Sequence, residues 1–159
     1  MAERPRTDAA TSARLSRQRR RDTKPELALR RLLHAAGLRY RVDRAPLPGL
    51  RRRADVVFTR ARVAVYVDGC FWHSCPVHAT HPRNNAQWWA DKLAANVARD
   101  RDTDRRLEEA GWTVVRIWEH EDPTAAAEKV VRAVRADEAD EADEADEADE
   151  ADEPSDYRS

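Results

Sequence analysis

The run Val63-Ala64-Val65-Tyr66-Val67 passes without a turn residue into Asp68-Gly69-Cys70-Phe71-Trp72-His73-Ser74-Cys75-Pro76-Val77-His78, and this junction constrains the fold more than any other stretch of the chain. Branched residues in so short a run read as a buried strand. The segment after Val67 holds both cysteines and two of the five histidines. Ligating groups therefore gather where a core strand ends, and the rest of the chain has to bury that strand.

Thiolate and neutral imidazole are the preferred ligands of a tetrahedral, borderline-soft ion such as zinc. The spacing from Cys70 to Cys75 to His78 is C-x4-C-x2-H, and no second histidine pair follows at finger spacing. A fourth ligand must come from elsewhere, and Trp118-Glu119-His120-Glu121 is the best source. The alternative is a surface loop with two free thiols or a disulfide; nothing in the chain suggests secretion, which weakens the disulfide.

A length of 159 residues suits one ordinary domain with one core. No apolar run approaches the roughly 18 residues of a membrane span, so a soluble, cytoplasmic and monomeric protein is expected. The formal net charge of −1 conceals a segregation. Residues 136–159, six Ala-Asp-Glu triplets and a short polar end, hold 13 of the 30 acids and one of the 29 bases. The remainder carries 28 bases against 17 acids, a formal +11, and nearly all its bases are arginine. Such a body expects a polyanion, with nucleic acid foremost. Like charges in blocks repel, so the tail is expected to be solvated and mostly disordered. It is either a DNA mimic that folds back as a brake or a tolerated repeat.

Residues 1–22 read as a flexible basic arm, with Arg14, Arg17, Arg19 and Arg20 available to a phosphate backbone, or as an ordinary charged terminus. The folded domain is expected over 23–135. Thr23-Lys24-Pro25-Glu26 starts a helix, with Thr23 as cap and Glu26 either completing a capping box or standing beside a metal site; Gly37 stops it. Strands are expected over Leu38–Val42, Arg51–Phe58 and Val63–Val67, a long helix over Asn85–Ala110, a strand over Trp112–Trp118 and a last helix over Thr124–Arg135. The order αβββαβα sets Asp55 near the end of the strand carrying Val67. A carboxylate there, with main-chain carbonyls, suits a hydrated magnesium ion. An imidazole beside it, that of His73, suits a general base near neutral pH. Both residues also have structural readings.

Several separated motifs resemble the very-short-patch repair (Vsr) endonucleases: Gly69-Cys70-Phe71-Trp72-His73 with its strand, Asp55 before it, Trp88-Trp89-Ala90-Asp91-Lys92 with Asn96 and Arg99-Asp100-Arg101, and Gly111-Trp112 through Trp118-Glu119-His120. The resemblance implies a PD-(D/E)XK-like restriction-endonuclease fold and a magnesium-dependent nick in double-stranded DNA beside a T:G mismatch, the lesion left by deaminated 5-methylcytosine. It implies Asp55 and the Val67 carbonyl as magnesium ligands, His73 as general base and Glu26 as supporting acid. Phe71, Trp72 and Trp89 match aromatic residues that enter the base stack, with core packing as their alternative. It also implies a functional link to a cytosine-5 DNA methyltransferase.

The departures are specific. Ala54 replaces the proline before the key aspartate. Asp68 replaces a histidine, so a second acid is expected at the catalytic site. With two cysteines in place of three, Cys70, Cys75, His78 and His120 are left to close a structural zinc site, with His81 the rival of His78. Two further readings stay open: a Vsr-like nuclease of a restriction or defence system without mismatch dependence, and a zinc-stabilised DNA-binding protein without catalysis.

Overall fold

The computed structural model describes residues 21–78 and 82–150. The arm residues Arg17, Arg19 and Arg20, and His81, lie outside them, as do residues 151–159. Among the described residues, three helices and four strands come in the order α1 (Lys24–Ala35), β1 (Arg41–Arg44), β2 (Ala54–Phe58), β3 (Val63–Asp68), α2 (Ala86–Glu109), β4 (Thr113–Trp118) and α3 (Pro123–Glu150). This is the expected αβββαβα order. Among these helices none is long and apolar enough to cross a membrane.

The strands form one mixed sheet in the order β1-β2-β3-β4. The pairs β1–β2 and β2–β3 are antiparallel, and β3–β4 is parallel with Tyr66 opposite Arg116 and Asp68 opposite Trp118. A parallel pair requires a crossover, which α2 supplies. Because successive strand residues face opposite sides, Val56, Phe58, Val63 and Val65 pack with Leu29 and Leu33 of α1 and Ala126, Val130 and Val134 of α3. Val57, Ala64 and Tyr66 pack on the other face with Leu107 of α2. Helices on both faces explain why β2 and β3 read as nearly continuous apolar runs.

Three boundaries depart from expectation; β2, for one, begins at Ala54 and not at Arg51. The first strand begins at Arg41, because Gly37, at φ +83°, and Leu38 close α1. Leu38 N–H donates to Leu33 O and Gly37 N–H to His34 O, a Schellman closure that uses the residues expected to open the strand. At the other end α3 continues through residues 136–150, where a disordered tail is expected. Ala and Glu are strong helix formers, and a helix already nucleated on the core propagates through them one bond per residue.

Candidate active site

The carboxyl ends of β3 and β4 organise the site. Glu119, just beyond β4, accepts a hydrogen bond from Cys70 N–H at 2.8 Å, and its own N–H donates to Asp68 O at 2.9 Å. The cysteine loop is thereby tied to the neighbouring strand. Within it, His73 N–H donates to Gly69 O and Cys75 N–H to Cys70 O, with Ser74 left-handed at φ +54°. These bonds make one helical turn closed as a helix end is closed, and the turn presents Phe71, Trp72 and His73 together.

The four expected ligands come together. Cys70 Sγ lies 3.1 Å from His120 Nδ1, and Cys75 Sγ lies 3.7 Å from His120 Nδ1 and 4.0 Å from His78 Nδ1. One ligand atom from each of the four lies within 4.8 Å of the others. Tetrahedral ligands at zinc–sulfur and zinc–nitrogen distances of about 2.3 and 2.0 Å stand roughly 3.5 Å apart, so this set fits a single tetrahedral cation. Both thiols are buried and both imidazoles exposed.

Asp55 Oδ2 accepts the N–H of Val67 at 2.6 Å, which joins β2 to the end of β3 as the spacing predicts. Burial pushes the Asp55 carboxyl up to about 7; the Val67 hydrogen bond opposes this, and the charges of Glu26, Asp68 and Asp43 add to it. None of the ion pairs among the described residues involves Asp55. A half-buried carboxylate among acids and without a basic partner suits a divalent cation. Glu26, only 6 % exposed, reaches back past the start of α1 without making the expected capping box, which would take the N–H of Thr23. It accepts from Asp22 N–H at 2.9 Å and from the Thr23 hydroxyl at 3.0 Å, so Thr23 supports the glutamate and does not cap an N–H itself.

The imidazole of His73 meets a partner that the motifs alone leave without a role. Its Nδ1 lies 2.5 Å from Asp100 Oδ2 on α2. Asn96, one turn earlier, donates from Nδ2 to the Trp72 carbonyl at 3.1 Å. Trp89, Leu93, Asn96, Asp100, Thr103 and Leu107 fall along one face of α2 at three- and four-residue steps. The signal for Asp100 was therefore available as a polar residue in an otherwise inward-facing stripe. Burial disfavours the imidazolium, but the Asp100 hydrogen bond and the Asp68 and Asp100 charges outweigh it and raise the His73 pKa. Asp100 responds in the opposite sense: burial raises its pKa, and the hydrogen bond and charge of His73 more than offset this.

Asp68, the second acid expected at the catalytic site, is 5 % exposed and faces Arg116, whose Nη1 lies 3.0 and 3.1 Å from its two oxygens. The aromatic residues cluster, with Trp89 at the hub: its ring centroid stands 5.4 Å from Phe71, 6.1 Å from Trp72 and 4.9 Å from Trp88. Trp89 is buried, while Phe71 and Trp72 are half-buried above it.

The chain matches the family model described as DNA mismatch endonuclease Vsr over residues 6–78. It is 45 % identical over 126 residues to the type II nicking enzyme V.NaeI of Lentzea aerocolonigenes, covering 78 % of this chain and 76 % of that one. To the type II nicking enzyme V.XorIIP of Xanthomonas oryzae pv. oryzae it is 39 % identical over 119 residues, covering 68 % and 85 % respectively. To the DNA mismatch endonuclease Vsr of Escherichia coli it is 41 % identical over 101 residues, 62 % of each chain. A mixed sheet flanked by helices is consistent with these matches, and the chain belongs to the Vsr DNA mismatch endonuclease family, an endodeoxyribonuclease family.

Proposed function

We propose that this protein nicks one strand of duplex DNA beside a T:G mismatch, in a magnesium-dependent hydrolysis that leaves a 5′-phosphate. The observation that carries the reading is the pairing of an unneutralised carboxylate, Asp55, with a His73–Asp100 couple at the same end of the sheet. Asp68 lies beside both, 3.7 Å from His73 Nδ1 and with its charge acting on Asp55.

The roles follow from chemistry. With Nδ1–H donated to Asp100, His73 keeps the Nε2 lone pair for a water proton, and Asp100 steadies the imidazolium that forms. Asp55, with the Val67 carbonyl, holds magnesium, and Glu26 adds negative charge behind it. A magnesium ion held there would supply Lewis acidity toward the phosphate. Water attacks phosphorus, the bond to the 3′ oxygen breaks, and that oxygen leaves with a proton. Cys70, Cys75, His78 and His120 hold structural zinc; four protein ligands leave no position for water. Phe71 and Trp72 enter the stack from their base on Trp89, because a mismatched pair unstacks at lower cost than a matched one. Arg17, Arg19 and Arg20 track the backbone. A cytosine-5 DNA methyltransferase is the functional associate, as the source of the methylated base.

The test is single-strand scission of end-labelled duplexes that differ only in T:G or T:A, with magnesium. Preferential nicking of the T:G duplex supports the reading. Equal nicking of both supports the second reading, a restriction-associated nuclease indifferent to mismatch, which the two relatives described as type II nicking enzymes favour. Salt-dependent binding with no scission removes both.

A further inference from the structure

Arg116 sits in the middle of β4, where alternation alone makes it one more outward base, yet it is the most heavily engaged side chain near the site. Its position opposite Tyr66 puts its guanidinium 4.5 Å over the Tyr66 ring and on the sheet face that also carries Asp68. Nη1 takes both oxygens of Asp68. Nε lies 3.0 and 2.9 Å from the two oxygens of Asp104, and Nη2 lies 2.6 Å from one of them and 3.4 Å from the main-chain carbonyl of Asp100. One side chain on β4 thus grips the end of β3 and the turn of α2 that presents Asp100.

Two carboxylates face the same ring nitrogen. Asp100 Oδ2 is 2.5 Å from His73 Nδ1, and Asp68 Oδ1 is 3.7 Å from it. A buried carboxylate left without a partner takes the nearest donor or cation, and the nearest ones here are the His73 ring and an ion at Asp55. We propose that Arg116 is a positioning residue that decides this competition: it occupies both oxygens of Asp68 and steadies the Asp100–Asp104 turn, so that Asp100 alone orients His73 and Asp68 stays out of the ion site. Asp68 and Arg116 then form one unit. Losing the arginine alone harms the site more than losing both.

The kinetic part of the test rests on the nicking reading, and the spectroscopic part does not. The first readout is the Nδ1–H proton of His73 in long-range 15N–1H NMR spectra of the zinc-loaded, magnesium-free protein. The second is the single-turnover nicking rate with saturating T:G duplex. Arg116→Met is expected to lose or displace the Nδ1–H signal and to slow nicking at least about tenfold with DNA affinity held within about twofold. Adding Asp68→Asn to that variant is expected to restore the signal and to bring the rate back to within about threefold of the unaltered protein. An arginine that only stabilised the fold would leave both readouts of the folded single variant unchanged, and that result overturns the proposal. So does a double variant that stays as impaired as the single one. If Arg116→Met does not fold, the double variant decides alone, because it lacks the unpaired buried acid. If the unaltered protein nicks no duplex, the function proposed above falls, and the Nδ1–H signal still decides the role of Arg116.

Discussion

Replacing Asp55 by asparagine separates what the site costs from what it does. The carboxyl is pushed from 3.8 up to about 7, chiefly by burial, so the folded state holds its proton more tightly than the unfolded chain does. Stability therefore falls as pH rises from about 4 through about 7 and is level above that. Each pKa unit corresponds to about 1.4 kcal/mol, so the buried carboxyl costs about 2 kcal/mol at pH 5, where folding must protonate it, and about 4 kcal/mol at pH 8, where it is buried ionised. Asparagine keeps an oxygen for the Val67 N–H and carries no charge to bury. In zinc-loaded protein without magnesium, Asp55→Asn is expected to melt above the unaltered protein by roughly 10 °C at pH 8, with the gap about halved at pH 5. Magnesium in the millimolar range should raise only the unaltered protein and narrow the gap, while the variant nicks at least about a thousandfold more slowly. Thermal melts followed by circular dichroism at both pH values, with and without magnesium, make the measurement. A variant that melts at or below the unaltered protein throughout would show that the Asp55 charge is already compensated, and the reasoning for a cation there would fail.

Three further outcomes are expected. Removing the thiol-bound metal with a zinc-selective chelator, or changing Cys75 to serine, should lower the melting temperature and abolish nicking together, because the loop carrying His73 is tied through Cys70, Cys75 and His120; nicking that survives complete zinc loss, measured by atomic absorption, would separate the two sites. Trp72→Ala should reduce the preference for T:G over T:A by about 1–3 kcal/mol, or roughly 5- to 150-fold, while leaving binding to matched duplex unchanged, as read by competition assays. Deleting residues 136–159 removes 13 acids and, if the tail competes with DNA, should tighten binding at low salt and much less at moderate salt; equal affinity with and without the tail would exclude the brake.

Much of the fold was legible because the sheet is covered on both faces. Val56–Phe58, Val63–Val67 and Thr113–Trp118 needed only their branched residues to read as strands, and the distance from Asp55 to Val67 followed once β2 and β3 were taken as neighbours. The gathering of Cys70, Cys75, His78 and His120 was legible for a different reason: cysteine and histidine at such spacing have few other uses. Asp100 left a signal in the inward-facing stripe of α2 but no indication of its partner; Arg116 left none, because a charged residue in a strand reads as solvent-facing until its neighbours are known. Asp68 was read as a second catalytic acid from its place in the motif, yet its direction depends on Arg116, 48 residues away. The Ala-Asp-Glu repeat is the converse case, read from charge alone. Charge repulsion was weighed for it, and the helix already running into it was not.

The central claim is that a metal-pinned loop holds the His73 imidazole, oriented by Asp100, at the same sheet end as Asp55, so that the two act on one phosphate. Single-turnover nicking of a T:G duplex by the unaltered protein, Asp55→Ala and His73→Ala, each saturated with DNA, tests it most directly. Losses of at least about a thousandfold in both variants, with DNA affinity within about threefold, are predicted. Either variant nicking at the unaltered rate contradicts the claim.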